Sequence, residues 1–252
     1  AGVTVDYGLM AQAAEELNPG YLQRVRSGRP WVRVKIAASL DGRTALHNGN
    51  SQWISGAASR RDVQAWRARS SAILTGIGTV LADDPALTAR VCEPPLQPLR
   101  VIVDTHWRTP VSSRVLQHPA LALIAGSEQE PIPPALVNTD VHCLPLPLAG
   151  KRVDLPALMR ALAAREINEI QVEAGATLCG GLWQAGLVDE ILLYQAPVLL
   201  GTAGPGLFDL GVLDTMQDRT QLDVVESCQV GADLRLRMRP HNQSCQHSAG
   251  GA

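Results

Sequence analysis

The chain has 252 residues, 46% of them hydrophobic and 18% charged, with a formal charge of −2 and a mean hydropathy of +0.02. That is the composition of a folded protein with one large α/β domain or two small ones, and it excludes a disordered chain. No basic excess offsets a nucleic-acid backbone, 4% aromatics offer few stacking platforms, and no apolar run approaches the roughly 18–20 residues that cross a bilayer, so neither nucleic acid nor membrane is an expected partner.

In chain order, residues 1–30 carry an apolar helical pattern broken at Asn18-Pro19-Gly20, and this reads as a lead-in arm. A strand follows in WVRVKIAAS and ends at the turn Leu40-Asp41-Gly42-Arg43. The segment 57–70 is a helix with Val63 and Trp66 one turn apart facing inward and its arginines facing out. A short strand at 72–75 leads to glycines 76 and 78, which open a second helix that Pro85 ends, leaving Asp83 and Asp84 at its C-terminus, where the helix dipole disfavours them. Strands at 100–104 and 121–125, a helix at 154–166, a strand from 169 and a helix at 175–186 then alternate, which is the grammar of a largely parallel sheet. In the helix, Leu155, Leu158, Met159 and Leu162 form one apolar stripe. The run ILLYQAPVLL at 191–200 is richer than one core strand needs, and the stretches LDVVESCQV and DLRLRMR, divided by Gly231-Ala232, form an antiparallel hairpin. The predicted domain spans 31–239, and 240–252 reads as a disordered tail.

The N-terminus has no basic segment followed by an apolar one, and the five cysteines (Cys92, Cys143, Cys179, Cys228, Cys245) show no C-x-x-C pair or zinc-ligand spacing. Reduced thiols and a cytoplasmic location are expected, with no metal site. The six histidines form no H-x-E, H-E-x-x-H or triad spacing and receive no role.

Two features carry chemistry by themselves. The segment from Glu173 through Gly175, Ala176, Thr177, Leu178, Cys179, Gly180 and Gly181 begins at the end of a buried strand and enters a helix, the place where open α/β sheets bind ligands. Its small residues let a phosphate reach free N–H groups, although such a turn also serves tight packing. Lys35 lies inside an apolar strand, where alternation puts it on the face of Arg33 or, if the sheet is covered on both sides, in the interior; it is either an edge lysine reaching solvent or a cation with a depressed pKa at a cleft. Arg67 and Arg90 are candidate phosphate ligands or solvated surface charges.

Taken as an ordered set, VKIAASLDGRTA at 34–45, SQWISG at 51–56, the block at 61–90, RVIVDTHWRTP at 100–110 and the block at 172–201 closely resemble the reductase domain of the bacterial bifunctional riboflavin-biosynthesis deaminase-reductase. The resemblance implies a dihydrofolate-reductase-like α/β fold with a mixed, mostly parallel central sheet. It implies NADPH-dependent reduction of the ribosyl group of 5-amino-6-(5-phosphoribosylamino)uracil to the ribitylamino phosphate. Residue by residue, it implies substrate contacts from Ser51, Arg67, Leu87 (through its backbone), Arg90 and Glu173. Cofactor contacts would come from Ala37, Trp53, Thr79, Asp83, Thr105 and residues 175–181, with Ala37 standing where a glycine is frequent.

Lys35 is the first candidate proton donor, with Asp83 and Glu173 the others; Thr105 and Arg108 are the nearest candidates for the 2′-phosphate of NADPH. The zinc deaminase motifs H-x-E and P-C-x-x-C do not occur in the sequence. The expectation is therefore a reductase without its deaminase half, with residues 1–30 as the junction, a separate deaminase as a partner and a homodimer as the assembly. The alternatives are a related reductase acting on the undeaminated diaminopyrimidinone or on a pterin, or a non-catalytic nucleotide-binding module.

Overall fold

The computed structural model describes residue 4 and residues 8–91, 97–117 and 121–241. Helix α1 (Ala11–Leu17) stops at Asn18, and Pro19 restarts the chain as the first residue of α2 (Pro19–Ser27), where its missing N–H has no partner to lose. Gly20 is there because α2 lies directly on the strand ends. A Cβ at this position would stand 2.4 Å from Glu169 Cγ and 2.8 Å from the Asn168 carbonyl. The lead-in arm is thus packed against the sheet, and Arg24 Nε donates to Asn168 Oδ1 at 2.7 Å.

The remaining elements are β1 (Trp31–Ser39), α3 (Ala57–Arg69), β2 (Ala72–Gly76), α4 (Ile77–Asp83), β3 (Leu99–Val103), β4 (Ala122–Ser127) and a single turn α5 (Pro134–Val137). There follow β5 (His142–Leu146), β6 (Leu148–Ala149), β7 (Arg152–Val153), α6 (Leu155–Ala163), β8 (Glu169–Val172), α7 (Ala176–Gln184), β9 (Glu190–Ala196), β10 (Leu222–Val230) and β11 (Asp233–Pro240). The sequence reading omits α5 and the strands β5 to β7. Strand β5 is an edge strand carrying Pro145, which an edge tolerates because one side of its backbone has no ladder partner.

Nine strands form one sheet in the order β10-β11-β9-β1-β8-β2-β3-β4-β5. From β9 to β5 every pairing is parallel; the β10–β11 hairpin and its attachment to β9 are antiparallel. Strand β8, late in the chain, is inserted between β1 and β2, pairing Val172 with both Val34 and Leu74.

Alternation splits each inner strand between two cores. Val34, Leu74, Val101 and Val172 face α6 and α7, packing on Leu158, Met159, Leu162 and Leu182. Ile73, Ile102 and Ile124 face the other way, toward Val80, Trp107 and Leu136. Under α3 the second face changes character: Val63, Trp66, Leu192 and Tyr194 form a small apolar cluster. Beside it lie Arg33, 1% exposed and paired to Glu190 (2.5 Å) and Glu169 (3.2 Å), with its guanidinium 4.6 Å from the Trp66 ring centroid.

Helix α3 owes its N-terminal cap to the distant hairpin. Asp233 Oδ2 accepts from the Gly56 N–H at 2.7 Å and from the Ser59 hydroxyl at 2.5 Å, so the end of the chain fixes the helix that carries Arg67. The apolar run at 191–200 divides: Ile191 to Tyr194 are buried core residues, while Val198 and Leu199 are exposed. Strand β11 extends through Pro240, one residue into the expected tail; residues 242–252 lie outside the described residues.

Candidate active site

The C-terminal ends of β1, β8 and β2 open into a cleft of about 1180 Å³. It is the carboxyl-end crevice where an open α/β sheet places ligands. Eight of its lining side chains are Lys or Arg and two, Asp83 and Glu173, are carboxylates, whereas the whole chain has 22 basic and 24 acidic residues. A near-neutral protein thus has a local excess of positive charge in this cavity, which favours anionic ligands.

At the floor stand Lys35, from β1, and Glu173, which follows β8. The strand register places them side by side, and Glu173 is fixed further by its N–H to the Leu74 carbonyl (2.9 Å) and its carbonyl to the Thr75 hydroxyl (2.8 Å). Arg67 of α3 closes on Glu173 in a fork, Nε to Oε1 at 2.6 Å and Nη2 to Oε2 at 2.7 Å. Arg67 Nη1 donates to the Thr88 carbonyl at 3.0 Å, and Gln171 Nε2 adds a third bond to the carboxylate, to Oε1 at 2.8 Å. Burial alone would raise Glu173, but the Arg67 charge and hydrogen bonds, with Lys35 and Gln171 behind them, bring it down to about 2. Lys35 moves the other way from its ordinary value: burial lowers it, the Glu173 charge opposes that, and Arg67 adds to it. The alternation argument is borne out, because Lys35 does share a face with Arg33 and reaches the cleft. The expectation that the α3 arginines all face outward is not, because Arg67 turns inward and its side chain is 12% exposed.

One wall is the 85–90 loop. Leu87 is buried there with a left-handed backbone (φ +49), a conformation a leucine holds only when its surroundings impose it. Gln64 of α3 accepts from the Arg90 N–H at 3.1 Å, so α3 pins this loop through both Gln64 and Arg67. The Arg90 side chain is exposed and lines the cleft. Ser51 and Trp53 line the same side, the indole 70% exposed with the Arg60 guanidinium 4.6 Å from its centroid.

The other wall is the start of α7. Its N-cap, Gly175, has no side chain to satisfy the first turn, so the N–H groups of Ala176, Thr177 and Leu178 face the cleft that these residues line. A Cβ on Gly175 would meet nothing within 4 Å. That open space over free N–H groups fits a cofactor pyrophosphate. Ala37, Thr79, Asp83, Thr105 and Gly181 complete this lining.

Two members of the expected 175–181 set lie elsewhere. Cys179 is fully buried in the core, its thiol pushed up to about 12 by burial. Gly180 is needed by packing, because a Cβ there would stand 2.1 Å from the Asp209 carbonyl oxygen. The helical period turns both away from the cleft, which a reading of the segment as one loop does not resolve.

Lys151 and Arg152 were missed by the sequence reading. They sit at the tip of the β6–β7 hairpin, turned by Gly150 at φ +64, and line the far end of the cleft with Thr105 and Arg108. The hairpin is moored there by the Val153 N–H to Thr105 Oγ1 (3.4 Å), and neither cation forms an ion pair among the described residues. The signal available was a basic pair beside a glycine turn. Among the described residues, no three His, Cys, Asp or Glu side chains form a metal-sized cluster, and no helix is long and apolar enough to cross a membrane.

Comparison with known proteins agrees with this geometry. The family model for the RibD C-terminal domain matches residues 30–236. The riboflavin biosynthesis protein RibD of Escherichia coli is 43% identical over 251 residues, covering 94% of this chain and 67% of that protein. Among solved structures, RibD of Acinetobacter baumannii superposes with a TM-score of 0.85 at 37% identity, covering 96% of this chain and 66% of that one. A deaminase/5-amino-6-(5-phosphoribosylamino)uracil reductase from Thermotoga maritima gives 0.81 at 28%, covering 95% of this chain and 65% of its own. The chain spans about two thirds of the length of these relatives. The fold is the dihydrofolate-reductase-like one that the resemblance implied, and the chain belongs to the RibD C-terminal domain family, the reductase part of the riboflavin biosynthesis proteins.

Proposed function

We propose that this chain reduces the ribosyl group of 5-amino-6-(5-phosphoribosylamino)uracil to the ribitylamino phosphate with NADPH. The observation that carries the reading is one cleft in which a lysine and a carboxylate, Lys35 and Glu173, lie among basic side chains on one wall and the N-terminal turn of α7 on the other. NADPH, when bound, supplies the hydride that goes to C1′ of the sugar.

The chain's own residues do the rest. The ribosylamine opens as its nitrogen forms a double bond to C1′, and the ring oxygen leaves C1′ and takes a proton. Lys35 is the donor, its ammonium partly buried beside Glu173 and its pKa lowered toward the working range by burial. Glu173, ionised and clamped by Arg67, holds Lys35 by charge and faces the sugar. Arg90 and the two N–H groups of Arg67 not used by Glu173 or Thr88 hold the phosphate. The first turn of α7 takes the pyrophosphate, and Arg108, Lys151 and Arg152 at the far end take the 2′-phosphate that distinguishes NADPH from NADH. Asp83, which lines the same cleft, would contribute to holding the cofactor.

NADPH oxidation measured with this aminouracil, with the undeaminated diaminopyrimidinone and with a dihydropterin tests the reading. Turnover of the aminouracil at least tenfold above the other two is expected. Preference for either alternative, or no turnover of any, overturns it. Deamination falls to residues outside this sequence, in a separate deaminase or domain. For assembly we infer a cytoplasmic homodimer, supported by the exposed apolar patch of Leu40, Val198 and Leu199, which the Leu40 N–H to Val198 carbonyl bond (2.8 Å) holds together. A monomer by sedimentation at micromolar concentration would remove that inference.

A further inference from the structure

Gln171 has no part in the reading above, yet its position is hard to explain by stability. It is fully buried on β8, two residues before Glu173 and on the same face of the sheet. Its neighbours across the ladders are Arg33 on β1 and Ile73 on β2. Its amide makes one hydrogen bond among the described residues, from Nε2 to Glu173 Oε1, and its own Oε1 is buried with no partner. A buried acceptor left unmade costs stability, and an apolar side chain of similar volume would remove that cost. The amide is therefore a liability to the fold whose one visible contribution is the N–H it gives to Glu173.

That N–H determines how the carboxylate is presented. Oε1 already receives Arg67 Nε at 2.6 Å, and Gln171 fills its second lone pair, while Oε2 receives a single donor, Arg67 Nη2 at 2.7 Å. One oxygen is saturated and the other keeps a free lone pair. The carboxylate cannot rotate without losing the Gln171 bond, and that bond holds it in place while Arg67 also serves an incoming phosphate. The geometry points to Gln171 as a positioning residue that holds Glu173 with Oε2 toward the ligand. This inference rests on the reductase reading of the cleft.

The test uses two substitutions. Gln171→Met keeps the volume and removes the donor. Gln171→Glu keeps the shape and donates to Glu173 only while protonated; once ionised it faces Glu173 as a second carboxylate. The other charged groups around it are Arg33 and Lys35 from β1, Arg67 from α3, Glu169 at the start of β8 and, across the cleft, Asp83 from α4. Relative to wild type at each pH, Gln171→Glu is expected to be near full activity at the acid end and to fall at least fivefold as pH rises. Gln171→Met should lose kcat three- to tenfold at all pH values, with NADPH affinity unchanged within twofold and no loss of thermal stability.

In the ligand-free protein, the carboxyl ¹³C shift of Glu173 should titrate at higher pH in Gln171→Met than in wild type. A role in packing alone predicts lower stability without the pH signature. If wild type is active and neither variant differs from it in kcat, pH profile or Glu173 titration, the positioning role is overturned and the reductase reading stands. If wild type turns over none of the substrates, the reductase reading falls, and an unmoved Glu173 titration in Gln171→Met then removes the hydrogen bond's influence as well.

Discussion

Arg67 and Glu173, 106 residues apart in sequence, meet fork to fork at 2.6 and 2.7 Å on the floor of the cleft. Neither is more than 14% exposed, so removing one partner leaves a buried charge unpaired, which costs far more than losing a surface ion pair even though desolvation offsets much of the attraction within the intact pair.

The first prediction concerns that charge. Glu173 is held at about 2 against an ordinary 4.5. Because its pKa is depressed by folding, the stability it contributes is present above the unfolded value and is lost as pH falls from about 4.5 through about 2. Arg67→Ala should destabilise the protein by roughly 3 kcal/mol at pH 7. It should also flatten the dependence of urea-unfolding stability on pH in that window. An unchanged pH dependence would show that Arg67 is not what holds Glu173 ionised.

Lys35→Met should lower kcat by about 10²-fold or more, the scale of a lost proton donor, with NADPH affinity nearly unchanged. In wild type, kcat should fall as pH rises through the Lys35 pKa, which burial places below the ordinary 10.5. The variant should lack that basic limb. Glu173→Gln and Asp83→Asn are the comparisons, and a Lys35→Met enzyme with normal kcat would move the donor role to one of those carboxylates.

Two glycines of one segment should behave oppositely. Gly180→Ala puts a methyl into the Asp209 backbone and should cost about 1–3 kcal/mol of stability, the usual range for overpacking. Its folded fraction should bind NADPH normally. Gly175→Val meets open space and should lose only about 1 kcal/mol, the cost of a poorer N-cap, while binding NADPH about tenfold more weakly, since a branched side chain obstructs approach to the α7 N–H groups. Thermal unfolding and fluorescence titration read both.

At the far end of the cleft, the double change Lys151→Ser with Arg152→Ser should cut the preference for NADPH over NADH by about 10- to 100-fold, the scale of one or two charge-assisted contacts. NADH affinity should hardly change. Titrations with 2′,5′-ADP and 5′-AMP isolate the effect from turnover. If both nucleotides weaken equally, the hairpin is not reading the extra phosphate.

Much of this protein is written locally in its sequence. The break at Asn18-Pro19, the turn at Gly42, the apolar stripe of α6 and the hairpin at Gly231 each follow from short-range backbone and side-chain chemistry, and each is found where it was expected. The ordered blocks from 34 to 201 also disclose the family, and sixteen of the eighteen expected site residues line the cleft.

Tertiary structure decided the rest. Insertion of β8 between β1 and β2 is what brings Glu173 to Lys35, and strand order leaves no mark on either strand's own pattern. The inward turn of Arg67, the cap that Asp233 gives α3 and the clash that reserves Gly180 for Asp209 are all contacts between residues far apart in sequence. Their energies come from burial and hydrogen-bond geometry, which exist only once the chain has closed on itself.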